Sequence, residues 1–143
     1  MKAFLSLLMI FVCISCSDKS EFFSIESFND EFSNGLFMSK LKRNNIPYQS
    51  DYHMGEHYVL VHFSFKEVII RLRADTVREA KSLALINLDD KCSQKNLSQQ
   101  LTDMHVFNMT LTKRDVPMIR VSSKVHSSEN VTALLSSDEW RCF

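Results

Sequence analysis

The chain has 143 residues, with 17 basic and 17 acidic side chains, 45% apolar residues, four cysteines, two prolines and two glycines. That is the size of one ordinary domain, and Gly35 and Gly55 alone cannot supply a G-x-G-x-x-G turn, a Walker loop or a G-x-S-x-G nucleophile elbow. Balanced charge argues against a general nucleic-acid binder, which needs a clustered surplus of Lys and Arg to displace phosphate counterions, and acidic partners are not favoured.

One positive charge, Lys2, precedes thirteen uncharged residues from Ala3 to Ser15. A bilayer-spanning helix needs about 20 apolar residues, whereas a secretory hydrophobic region takes about 7–15. The polar run Ser17 to Glu21 stops the hydrophobic segment, so cleavage is expected just before Cys16. Cys13-Ile14-Ser15-Cys16 resembles the lipobox of bacterial lipoproteins, in which a branched apolar residue, a permissive residue and a small residue precede an invariant cysteine; Ile14 and Ser15 match it, and Cys13 stands where the family usually has Leu. The resemblance implies that residues 1–15 are a signal peptide and that Cys16 carries diacylglycerol on its thiol and a further acyl chain, such as palmitate, on its amine. Each buried methylene contributes about 0.8 kcal/mol, so several chains hold a protein to a membrane where one is marginal. Ser17 after the cysteine, rather than Asp, implies sorting to the outer membrane, facing the periplasm. The alternative is a plain secreted chain cut at the same bond. Cys13-x-x-Cys16 also has the spacing of a redox pair, but it sits at a cleavage site rather than at a strand-to-helix turn.

Loss of residues 1–15 removes only one charge and leaves 128 residues with one more acid than base. Residues 16–24 read as an acylated tether and 25–143 as a single domain, with no internal repeat visible. Ser27-x-x-Asp30 signals a helix start, with Phe28, Phe32 and Leu36 four apart and an end or bend at Asn34-Gly35. A second helical stretch, Leu36 to Asn44, closes on Lys40, Lys42 and Arg43, where cations suit the C-terminal dipole. Beyond Pro47, strands are expected at Tyr48–His53 and His57–Phe65 around a Met54-Gly55 turn, with Val68–Arg73 as a further strand pairing with the second of these. Thr76-x-x-Glu79 has the form of a capping box, opening a helix from Thr76 to about Asp89. A polar stretch over Cys92–Thr102 leads to a second hairpin, Val106–Thr112 with Pro117–Val125, and a short helix at Val131–Leu135. The fold class is therefore α+β: a single small domain, an antiparallel sheet of two hairpins with helices packed on one face.

After export and acylation, Cys92 and Cys142 remain, an even number that suits an oxidising periplasm; a disulfide between them would pin the C-terminus to the end of the Thr76 helix. The sharpest catalytic pattern is His53-Met54-Gly55-Glu56-His57, which matches H-x-x-E-H, the inverted zinc-peptidase signature. Its chemistry needs both histidines on one face of a helix, with the glutamate activating water on the metal. Pro47, Gly55 and the β-alternation that follows argue instead for a turn between strands. His62 reads as a structural residue, and His105 and His126 have no partners by spacing. Asp89-Asp90 and Asp138-Glu139 are adjacent pairs that do not face one another, so they suit solvated ends better than acid–base work. Phe22, Phe23, Phe28, Phe32 and Phe37 read as core, or else as an apolar groove. No catalytic residue, metal or cofactor is expected. The function expected is that of a lipid-anchored envelope lipoprotein acting as a non-catalytic binding or accessory module, with the membrane and an envelope protein as partners. The alternatives are a zinc-dependent hydrolase using His53, Glu56 and His57, and a carrier of an apolar ligand.

Overall fold

A computed structural model describes residues 22–26, 28, 30–53 and 56–142. The order is β1 (Phe22–Glu26), α1 (Glu31–Arg43), β2 (Tyr48–His53), β3 (Glu56–His62), a 3-10 turn (Phe63–Phe65), α2 (Lys66–Ala80), β4 (Leu83–Asn87), α3 (Lys91–Asp103), β5 (Met109–Lys113), β6 (Val116–Ser122), α4 (Ser123–His126) and α5 (Glu129–Ser137). The class is α+β, and the strands divide between two antiparallel three-stranded sheets, ordered β1-β3-β2 and β4-β6-β5. None of these helices is long and apolar enough to cross a membrane.

Several local expectations give way to tertiary packing. The stretch 16–24 is not all tether, because β1 begins at Phe22 and pairs with β3. Helix α1 does not break at Asn34-Gly35: it runs through both, capped by Asp30, whose carboxylate accepts from the Ser33 N–H at 2.8 Å. Val68–Arg73 is helical, despite the strand propensity of Val68, Ile69 and Ile70, because α2 places Ile69, Leu72 and Thr76 along one side, with Ile69 and Thr76 fully buried. Thr76 is thus no cap; it lies inside α2 and its hydroxyl donates to the Leu72 carbonyl at 2.8 Å. The helix ends at Ala80, and Leu83–Asn87 forms a strand whose alternate residues, Ala84 and Ile86, pack on the second core. Conversely, the polar stretch around Cys92–Thr102 is helix α3. Its apolar stripe is only Leu97 and Leu101, both fully buried, which is too sparse to announce an amphipathic helix.

The chain does contain a repeat. The sequence β-α-β-β occurs twice, β1-α1-β2-β3 and β4-α3-β5-β6, and in each sheet the third strand of the unit lies in the middle. From the helix cap onward the two units run sixty positions apart. Asp30 and Asp90 cap α1 and α3, each accepting from the backbone N–H of the serine three residues on. Asn45 and His105 both turn the chain through positive φ, 53° and 58°, and the next N–H, of Ile46 or Val106, donates to Leu41 or Leu101. The hairpins share a register, His53 opposite Glu56 and Lys113 opposite Val116. Arg114 and Asp115 both have positive φ in the two-residue β5–β6 turn, the conformation that follows the right-handed twist of a hairpin. The buried positions repeat as well: Phe37, Leu41, Ile46, Val59 and Val61 in the first core answer to Leu97, Leu101, Val106, Ile119 and Val121, those of the second lying buried or packed against it. Only four positions between Asp30 and His62 are identical to their counterparts, Asp30/Asp90, Ser33/Ser93, Leu41/Leu101 and Val61/Val121, so the repeat is carried by burial and turn geometry rather than by residue identity.

Helix α1 joins the halves. Phe37 and Leu41 pack into the first core, while Phe32 meets Phe107, just ahead of β5, edge to face at 5.1 Å. Gly35 lies under the same ring. A Cβ there would come within 2.8 Å of Phe107 Cε2 and closer still to Cζ. Beside it, Lys40 pairs with Glu79 of α2 at 2.7 Å, and the other oxygen of Glu79 accepts from the hydroxyl of Ser122 at the end of β6 at 3.1 Å. Gly35→Ala therefore sets a helix-propensity gain of about 1 kcal/mol against an overpacking cost of about 1–3 kcal/mol. The expected outcome is a lower urea midpoint for Gly35→Ala, recovered when Phe107→Leu is added to make room.

Candidate functional site

The segment His53–His57 does not form the helix that inverted zinc-peptidase chemistry requires. His53 ends β2, Glu56 and His57 open β3, and the register sets His53 opposite Glu56 and Tyr52 opposite His57. The two histidines belong to different strands at a hairpin end, and the side chains of all three motif residues lie outside the described residues. The expected signal peptide, Cys13, Cys16 and the part of the expected tether up to Glu21 also lie outside them.

Cys92 and Cys142 form a disulfide, with Cα atoms 6.0 Å apart. It fixes the C-terminal tail to the start of α3, not to the end of the helix containing Thr76. A polar cluster surrounds it. Asp90 accepts from the Ser93 hydroxyl at 2.6 Å as well as from the Ser93 N–H, and the Cys142 N–H donates to the Ser93 hydroxyl at 3.0 Å. The hydrogen bond from the Ser93 side chain, followed by that from its backbone, holds the Asp90 carboxyl below the usual carboxylate range. Ligand atoms of Asp90, Cys92 and Cys142 lie within 4.8 Å of one another, the spacing a metal would need. The sulfurs are bonded to each other and both carboxylate oxygens are engaged by Ser93, so the donor set is spent on structure. Just beyond, Trp140 is buried in the second core, with the Arg141 guanidinium 5.1 Å from its ring centroid.

The remaining sequence candidates resolve into structural roles. His62 Nδ1 lies 2.7 Å from the Ser64 hydroxyl and accepts from the Ser64 N–H, capping the turn before α2. Asp138, at positive φ, pairs with Arg141 at 2.8 Å. Phe32 and Phe37 are buried, and Phe28 packs beside Phe37 on the first core, which gives these three phenylalanines to the interior rather than to an open groove.

What sequence reading missed is a cleft of about 630 Å³ between the halves, where the C-terminal turns of α1 and α3 converge. Lys42, Arg43 and Asn45 come from the first turn; Thr102 and His105 come from the second. All five are exposed and form a rim, above a half-buried floor that includes Val106 and Phe107. Arg43 donates to the His105 carbonyl across the mouth. Among the described residues, no carboxylate lines the cleft. A second opening of about 580 Å³ lies by α2, but there Lys40 pairs with Glu79 and Arg78 with Asp75, so most of its charges satisfy one another. The signal that could have revealed the first cleft is the paired helix ends at Asn45 and His105, which become visible only when the halves are aligned at sixty positions.

Two outcomes follow from the disulfide cluster. Closing a loop across 50 positions stabilises by about 4 kcal/mol in the chain-entropy treatment; Cys92→Ser and Cys142→Ser should each lower the unfolding free energy by about 2–4 kcal/mol, and the double variant by no more than either, as read from urea melts. Because the carboxyl of Asp90 is held down in the folded state, its contribution is present above the usual carboxylate range and is lost as pH falls through its folded value. The stability difference between the parent and Asp90→Asn, which keeps a neutral cap, should be largest near pH 7 and shrink towards pH 2–3 in the same melts. No protein-family model matches the chain, and no curated protein and no solved structure matches it.

Proposed function

We propose that this protein is a lipid-anchored bacterial envelope lipoprotein, held in the outer membrane by acyl chains on Cys16, whose two-unit domain binds an envelope protein partner without catalysing a reaction. The observation that carries this reading is the use of the cysteines. Four are present; Cys92 and Cys142 are joined, and Cys13 falls within the segment expected to be removed. Cys16, at the position the lipobox resemblance marks for acylation, is then the cysteine left over once the Cys92–Cys142 bond and the expected cleavage are counted. A disulfide bracing the C-terminus suits the oxidising compartment to which such a signal leads.

The binding half of the proposal draws on the cleft. Its lining has cations, amides, hydroxyls and an aromatic floor, a set suited to recognition. The hydrolase alternative has lost its helical premise at His53–His57.

Intact mass spectrometry of the protein extracted from its native membrane tests the anchor. The expected mass is that of a chain beginning at triacylated Cys16 and short of two hydrogens, and an unacylated soluble chain would remove the lipoprotein reading. Crosslinking of the anchored protein in whole envelopes should yield a discrete adduct with a second protein; adducts absent at every crosslinker length would remove the binding reading.

A further inference from the structure

We infer that the cleft between the halves is the partner-binding site, and that it takes a peptide segment in which a carboxylate side chain neighbours an aromatic or branched apolar side chain. The inference rests on the binding reading above and names the chemistry of the partner. Overall charge is balanced, but it is not evenly spread: Lys42 and Arg43 stand on the rim, and among the described residues no acidic side chain lines the cleft. Among the described residues neither the Lys42 ammonium nor the His105 ring has a hydrogen-bonding or ionic partner. Arg43 spends one N–H on the His105 carbonyl and keeps others for a second acceptor. An incoming carboxylate would therefore meet two cations it need not take from any internal acid.

The floor sets the other half of the specificity. Val106 and Phe107 are half-buried at the base of the cleft, and the Phe107 ring is held from behind by Phe32 and Gly35. A rigid aromatic surface below a cationic rim accepts an apolar side chain and leaves the charge beside it at the mouth. Openness decides between a peptide and a small molecule. Small-molecule sites bury about 70–90% of their ligand, whereas here Lys42, Arg43, Asn45, Thr102 and His105 are all exposed, so the cleft grips a protruding side chain of something larger. The amide of Asn45 flanks the mouth, placed to hydrogen-bond an extended backbone, whereas the Thr102 hydroxyl is engaged within the fold, donating to the Ser98 carbonyl and accepting from the Asn108 amide.

The test is panning of a random heptapeptide library against the full chain in detergent, followed by calorimetric titration of the synthesised winners. The expected result is enrichment of peptides with Asp or Glu next to an aromatic or branched apolar residue, bound about tenfold more weakly by Lys42→Glu. Lys113→Glu, at the distant β5–β6 turn, serves as a charge-matched control and should bind like the parent. Enrichment of neutral or basic peptides, or binding indifferent to Lys42→Glu, would overturn the inference. So would benzoate or inorganic phosphate binding as tightly as the peptides, which would make this a small-anion site. If envelope crosslinking yields a partner whose adduct survives Lys42→Glu, the binding reading stands and the cleft assignment falls. If acidic peptides bind through Lys42 yet no envelope adduct forms, the cleft chemistry stands and the binding reading falls.

Discussion

Helix α1 has to complete the first core and receive the second half at once, and much of the architecture follows from that constraint. One side of the helix, through Phe37 and Leu41, completes the first core; another, through Phe32 and Gly35, receives the Phe107 ring that leads into β5. The missing side chain at Gly35 lets the ring lie against the helix backbone, in place of a helix-favouring residue that would push it away. Lys40 and Glu79 sit at the same junction, only 13% and 20% exposed. Partial burial makes their charges costly unless paired, so the pair fixes α2 against α1 within the first half. Ser122 gives Glu79 a second hydrogen bond from the other half.

The repeated unit explains why such docking is needed. A three-stranded sheet with one or two helices buries too little apolar surface to be comfortable alone, and each half has its own core of six or seven buried residues. Stacking through α1 adds a third buried zone. The halves then diverge in how they are closed: the first is covered by α2, which packs against α1, while the second is finished by α5, Trp140 and the Cys92–Cys142 disulfide. The covalent tie holds Cys142 and the residues beside it against α3.

The same duplication places the cleft. Two helices ending in the same αL turn, at Asn45 and His105, deliver their final turns to one opening when the halves dock. Equivalent positions there carry different chemistry, Lys42 against Thr102 and Asn45 against His105. Shared backbone geometry with divergent side chains gives an asymmetric mouth, cationic on the α1 side.

Sequence alone determined what depends on local rules. The strand Tyr48–His53 follows from alternation; the strand expected at Val106–Thr112 is β5 shifted to Met109–Lys113, its expected turn at Lys113–Val116 narrows to Arg114-Asp115, the helix expected at Val131–Leu135 lies inside α5, and the Cys92–Cys142 pairing is the one left when Cys13 and Cys16 are set aside as the resemblance implies. The lipobox resemblance is likewise local. Tertiary structure decided whatever depends on which surface a segment can bury. It made Val68–Arg73 helical because Ile69 and Thr76 are buried there, and gave a polar stretch to α3 because Leu97 and Leu101 suffice once the sheet and disulfide hold it. It carried α1 through Gly35 because Phe107 fills the space. It alone disclosed the repeat and the cleft, since both arise from residues sixty positions apart, and the energy that brings them together comes from burial between halves, which no local pattern encodes.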